Sequence, residues 1–269
     1  MTSFVRSGRA ELRVEDSQTP GPAVVCLHAG VGDRRMWAPQ VEALRATHRV
    51  IAYDRRGFGE TRCAPESFSH AADLLAVLDA LQMDQIILMG CSQGGRIAID
   101  VALAHPERVR ALVLVAAAVS GAPEPQRGFS PQVQERLDAL EAAEQRADPA
   151  AVNELEAQLW LDGPEQKTGR VAGPLRQLFL AMNATALAAA SPGDAVAPAS
   201  AWERLGQIEA PTLVVWGTLD FVHLRQRMAE IVKRIPGSRS VEIAGVAHLP
   251  GLEQPEAFNR AVLDFVSQA

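Results

Sequence analysis

The chain has 269 residues, 48% of them hydrophobic, and a formal net charge of −6, enough apolar content for a sizeable core in one large domain or in a domain with an insertion. Acidic and basic residues are interspersed, which excludes a basic footprint for nucleic acid or an anionic membrane and favours a small-molecule partner. Three cysteines (Cys26, Cys63, Cys91) at no metal-like spacing and six histidines without a zinc motif predict reduced thiols and no metal site.

The amino terminus has no apolar stretch of signal length. Residues 4–6 and 9–14 read as a hairpin turning at Ser7-Gly8, and strands are expected at 23–27, 49–53, 85–89 and 110–115, then at 212–216 and 240–243. Helical spacing lies between them, as in Leu74, Leu75, Leu78 and Leu81, and again in Phe258, Ala261, Val262 and Phe265. Two of the strands, Ala23-Val24-Val25-Cys26-Leu27 and Ala111-Leu112-Val113-Leu114-Val115, are continuously apolar, the pattern of a parallel strand buried on both faces. The longest apolar run, 111–119, is too short to span a bilayer, so the chain reads as soluble and cytoplasmic. The expected architecture is α/β: a mostly parallel, eight-stranded sheet with helices on both faces.

The alternation stops over 121–200. This stretch opens with Gly121, Pro123, Pro125 and Gly128 and carries helical patterns around Val133, Leu137 and Leu140, around Val152, Leu155 and Leu159, and around Leu175, Leu178, Phe179 and Met182. Asp148-Pro149 has the form of an N-cap followed by proline at the first helical position. The prediction is a core of 1–120 and 201–269, with a helical cap at 121–200 inserted after the sixth strand. The alanine-rich end of the cap, broken by Pro192 and Pro198, should return irregularly.

The chemistry centres on Gly90-Cys91-Ser92-Gln93-Gly94-Gly95. A G-x-S-x-G pattern occurs by chance in about one chain in ten of this length, so its weight comes from context. Here it joins a strand to a helix starting near Gly94, which sets Ser92 on a sharp corner with a helix N-terminus aimed at nearby negative charge. A serine hydroxyl needs a general base, and the base needs an orienting acid. Asp220 follows the strand 212–216, and His248 follows the strand 240–243. Both therefore fall at the same sheet edge as Ser92, in the order serine, acid, histidine.

That order and five motifs resemble the α/β-hydrolase superfamily, specifically its capped esterase and lactonase-like branch. The motifs are GCSQGG (90–95), WGTLD (216–220), GVAHLPGLEQPEAF (245–258), LHAGVGDRRMW (27–37) and YDRRGFGET (53–61). The resemblance implies Ser92 as nucleophile, His248 as general base and acid, Asp220 as the orienter of the histidine, and the backbone N–H groups of Gly30 and Gln93 as oxyanion hole. Two positions depart from the pattern: Ala29 stands where relatives have glycine, and Gln93 where many have an apolar residue.

Each residue also has a plainer reading. Ser92 could be a turn serine, and Asp220 a cap for a helix beginning near Val222. His28 ends a buried strand and reads as a structural hydrogen bond to the oxyanion loop. His223 reads as surface or cap-facing, Cys91 as packed beneath the turn, and Arg55 and Arg56 as loop ties. Trp160, Phe179 and Trp202 are candidates for the substrate pocket, against a reading as cap core.

The implied reaction is two-step acyl transfer on a small or medium ester or lactone without a cofactor. Serine in the elbow argues against the haloalkane dehalogenases and epoxide hydrolases, which use aspartate there. Carbon–carbon hydrolysis, a cofactor-free perhydrolase reaction and a ligand-sensing receptor on the same fold are the alternatives.

Overall fold

The computed structural model describes residues 1–124 and 128–268. Strands β1 (Thr2–Ser7) and β2 (Ala10–Asp16) form the predicted hairpin, with Ser7 opposite Ala10. β2 lies antiparallel to β4 (Arg49–Tyr53), which pairs in parallel with β3 (Ala23–Leu27). A ninth strand, β5 (Arg62–Cys63), pairs with β2. Its two residues are too few to carry an alternating pattern, which is why the sequence yields eight strands. The parallel order continues from β3 through β6 (Ile86–Cys91), β7 (Val109–Val115) and β8 (Thr212–Gly217) to β9 (Arg239–Ile243).

Alternate residues of the continuously apolar strands go to opposite faces. Val25 and Leu27 of β3, with Leu112 and Leu114 of β7, pack on one side against α2 (His70–Ala80), α3 (Gln93–Ala104) and α7 (Val222–Arg234). Val24 and Cys26, with Ala111, Val113 and Val115, pack on the other side with Leu44 of α1 (Ala38–Leu44) and with Phe258, Val262 and Phe265 of α9 (Pro255–Val266). At about 1.5–3 kcal/mol for each fully buried large apolar side chain, these two layers hold the sheet.

Between β7 and β8 the chain forms α4 (Pro131–Gln145), α5 (Pro149–Glu156), a π-helical turn (Ala157–Asp162) and α6 (Gly173–Ala188). Asp148 caps α5 by accepting the Ala151 N–H at 3.1 Å, with Pro149 in the first turn, as its sequence predicts. Pro125, part of the predicted punctuation, lies outside the described residues. The irregular return is tied down by a bridge between Phe68 and Ala195. Among the described residues no helix is long and apolar enough to cross a membrane.

Candidate active site

Strand β6 ends at Cys91, helix α3 begins at Gln93, and Ser92 makes the corner at φ 53° and ψ −114°. Such a conformation costs a non-glycine residue roughly 1–3 kcal/mol and survives only where its surroundings impose it. Here the Ser92 N–H donates to Val115 at 2.9 Å, while the Ser92 carbonyl accepts from Arg96 and Ala118 at 3.1 and 3.0 Å. The flanking glycines let the backbones close up. A Cβ on Gly94 would be driven into the carbonyl of Leu27, and one on Gly95 would come within 2.5 Å of the Ala117 methyl. The corner therefore presents a half-buried serine directly beside the end of β3.

Asp220 and His248 meet because the loops after β8 and β9 are zipped together. The N–H groups of Thr218 and Leu219 donate to Ile243 and Val246 at 3.0 and 2.9 Å, and the Gly245 N–H donates to the Thr218 hydroxyl at 2.9 Å. Gly217 permits this approach, since a Cβ there would strike the carbonyls of Val246 and Ala247. His248 Nδ1 then lies 2.8 Å from Asp220 Oδ2, while Asp220 Oδ1 accepts the Phe221 N–H at 2.8 Å. Both side chains are buried. Helix α7 has no side-chain cap, so Asp220 serves the histidine and not the helix. The Cys91 thiol reaches the His248 carbonyl at 3.8 Å, bringing the elbow and the histidine loop into contact. Among the described residues no hydrogen bond joins the Ser92 hydroxyl to the His248 ring, a contact that is often loose in substrate-free enzymes. An imidazole held by a carboxylate can take a proton from a serine hydroxyl that comes within hydrogen-bond reach of it.

Across the corner, Gly30 is half-buried, and a Cβ on it would come within 2.8 Å of Gln93 Nε2. Among the described residues neither the Gly30 nor the Gln93 backbone N–H has an acceptor. His28 is wholly buried with both ring nitrogens engaged. Its Nε2 accepts the Arg55 N–H at 3.0 Å, so Nδ1 carries the proton and donates to the Ala29 carbonyl at 2.8 Å. Burial, reinforced by the Arg55 charge, holds the imidazole well below its ordinary pKa, and it stays neutral. Arg56 is a structural tie, bound to Asp73 and Glu66.

The three aromatic pocket candidates separate. Trp160, on the π-helical turn, lies with its ring 4.7 Å from that of His248 and accepts the His248 N–H on its carbonyl at 3.3 Å. Phe179 is wholly buried among the apolar side chains beside α6. Trp202 lines a cavity of about 670 Å³ together with Phe129, Val133, Phe221 and His223. Asp220 also lines that cavity, whereas neither Ser92 nor His248 is among its described lining residues. His223 packs edge-on against Phe129 and at a tilt against Phe221 there, with its pKa lowered mainly by burial.

Two further residues had no visible signal in the sequence. Glu253, on the short helix α8 (Pro250–Glu253), accepts the Ala247 N–H at 2.8 Å and pairs with Arg170. Arg170 in turn donates to the carbonyls of Leu161, Asp162 and Gly245 at 2.7, 2.6 and 3.1 Å. Glu253 stands five residues beyond His248, but its partner is 83 positions away.

Known proteins share this arrangement of elements. Residues 22–255 match the family described as alpha/beta hydrolase fold. A 2-hydroxy-6-oxononadienedioate/2-hydroxy-6-oxononatrienedioate hydrolase of Cupriavidus pinatubonensis is 30% identical over 97% of this chain and 93% of its own. The 3-oxoadipate enol-lactonase 1 of Acinetobacter baylyi is 27% identical, covering 91% of this chain and 88% of its own. A thermophilic esterase from Thermogutta terrifontis, solved with malate bound, superimposes with a TM-score of 0.77 at 29% identity over 100% of this chain and 98% of the other.

Proposed function

The chain belongs to the α/β-hydrolase family, and on that premise we propose that it is a serine hydrolase cleaving a small or medium carboxylic ester or lactone. The observation that carries this reading is the buried Asp220–His248 pair, 2.8 Å apart, whose loop touches the strained corner bearing Ser92. His248 takes the Ser92 proton as the hydroxyl oxygen attacks the ester carbonyl, and Asp220 holds the imidazole and stabilises its protonated form. The negative charge on the carbonyl oxygen falls to the unpartnered N–H groups of Gly30 and Gln93, the latter reinforced by the N-terminus of α3. His248 then protonates the leaving alkoxide, and water repeats the sequence on the acyl-enzyme to release the acid.

Residues 121–200 act in this reading as a cap over the serine. Trp160 is the cap side chain that meets the base, and a cap that shelters Ser92 suits a small or medium substrate. The names of an esterase and an enol-lactonase among the relatives support ester chemistry, linear or cyclic.

The test is hydrolysis of short-chain p-nitrophenyl esters, lactones and β-diketones by wild type and Ser92→Ala, with circular dichroism to confirm equal folding. Wild type should turn over at least one ester or lactone, and Ser92→Ala should lose roughly 10⁴-fold or more in kcat. Equal activity, or equal inertness on every compound, overturns the reading.

A further inference from the structure

Arg55 and Arg56 are neighbours in sequence, both are buried, and they are wired differently. Arg56 meets the carboxylates of Asp73 and Glu66, and nearby Arg34 meets Asp54 and Glu60. Arg55, 2% exposed, has no carboxylate partner among the described residues, and its buried Nε has no acceptor. A buried cation without a counter-ion is costly unless its charge is used elsewhere. Burial lowers its pKa only to about 10, so it stays charged at neutral pH.

The partners of Arg55 lie on both sides of the proposed oxyanion site. Its Nη1 donates to Gln93 Oε1 at 3.2 Å, and its Nη2 donates to the Ala29 carbonyl at 3.2 Å. The Phe58 ring lies against the guanidinium, 4.5 Å away. The same Ala29 carbonyl accepts the His28 Nδ1–H and, at 3.3 Å, the Gly32 N–H, and Nη2 and Nδ1 stand 3.4 Å apart as two side-chain donors converging on one oxygen. That carbonyl and the Gly30 N–H belong to one peptide unit. In a trans peptide the C=O and N–H point in opposite directions, so pinning the oxygen toward Arg55 and His28 turns the Gly30 N–H away from them. Donors at the oxygen also polarise the unit and strengthen its N–H as a donor.

We propose that Arg55 is a positioning residue for the oxyanion site. It orients and polarises the Ala29–Gly30 peptide, steadies Gln93, and places an uncompensated positive charge behind the oxygen that becomes negative. The proposal rests on the serine-hydrolase reading above. It also gives Gln93 a purpose, because an apolar side chain at that position would leave Nη1 without its acceptor.

Arg55→Met and Arg55→Lys test it on whichever ester or lactone the wild type hydrolyses in a Ser92-dependent way. Arg55→Met should lose roughly 30- to 100-fold in kcat, short of the loss on removing a direct oxyanion donor, with KM changed less than about threefold. Its affinity for a trifluoromethyl ketone, which forms a tetrahedral adduct with the serine, should fall in parallel with kcat/KM. Arg55→Lys keeps the charge but not the planar fork and should recover part of the loss. If Arg55→Met does not fold, Arg55→Lys alone decides, with an expected fall in kcat of about three- to tenfold at unchanged KM. Wild-type kcat and inhibitor affinity in the folded variants would overturn the role of Arg55 and leave the serine-hydrolase reading standing. A wild type with no Ser92-dependent turnover would overturn both.

Discussion

Ser92 and Gly30 take their hydrogen-bonded ties from the core, whereas His248 is held partly by the helical insertion. The elbow takes its hydrogen bonds from β7, the segment just after it and α3, and its close packing from β3 and Ala117, and the Gly30 loop is tied to the segment after β4 through His28 and Arg55. On the other side, His248 gives its N–H to the Trp160 carbonyl and lies under the Trp160 ring, while Arg170 joins the insertion to Gly245 and Glu253 on either side of it. The difference teaches where rigidity and adjustability reside. The Ser92 and Gly30 side is built on the sheet, and the His248 side depends in part on how the insertion is seated. Damage to the close packing of the elbow should therefore appear as lost stability, and loss of an insertion contact at His248 as lost turnover in a folded protein.

The largest expected effect breaks the core-held half. Gly94→Ala drives a methyl group into the Leu27 carbonyl and within 2.8 Å of the His28 carbonyl, both of them backbone atoms that cannot swing away. The expected cost is about 3 kcal/mol, the upper end of ordinary overpacking. Urea unfolding should show the midpoint and the esterase activity falling together. A fully stable but inactive Gly94→Ala would mean that the elbow is not packed as tightly as its glycines indicate.

A smaller effect is expected on the insertion-held side. Trp160→Leu removes the ring beside His248 but keeps the backbone carbonyl that accepts its N–H. Loss of this ring contact, 4.7 Å between centroids, should loosen the imidazole and lower kcat about tenfold, equivalent to about 1.4 kcal/mol. The core unfolding transition should move little, since Trp160 is only half-buried. An unfolding midpoint reduced as far as that of Gly94→Ala would erase the contrast between the two halves.

The same division separates what sequence reveals from what it hides. Parallel strands buried on both faces leave continuous apolar runs, and the elbow, Asp220 and His248 sit directly at strand ends, so local pattern finds them. The helices of 121–200 were visible through their spacing and the Asp148-Pro149 cap. The π-helical turn was not, because Ala157-Gln158-Leu159-Trp160-Leu161-Asp162 has nothing that marks a change of helical period. The Arg170–Glu253 pair is a long-range contact with no local signature. Arg55 and Arg56 are indistinguishable as letters, and only the placement of Asp73 and Glu66 shows that one of them is neutralised.

The smallest effect concerns Glu253, where stability and turnover should respond to pH differently. Burial raises its carboxyl from 4.5 to about 7, against the opposing pull of Arg170 and the N–H groups of Ala247 and Leu249. Between these values the native chain holds a proton that the unfolded chain has released, so this group's contribution to stability falls as pH rises through the interval and levels off above it. Glu253→Gln cannot titrate. The unfolding free energy of wild type minus that of the variant should therefore decline from pH 5 to about pH 8, by on the order of 1 kcal/mol, and flatten above that. Urea unfolding across that range would reject the assignment if the difference rose instead. Turnover should run the other way, because the ionised carboxylate is the stronger acceptor for the Ala247 N–H and the better partner for Arg170. The clamp around His248 is thus firmest at the pH where Glu253 contributes least to the fold.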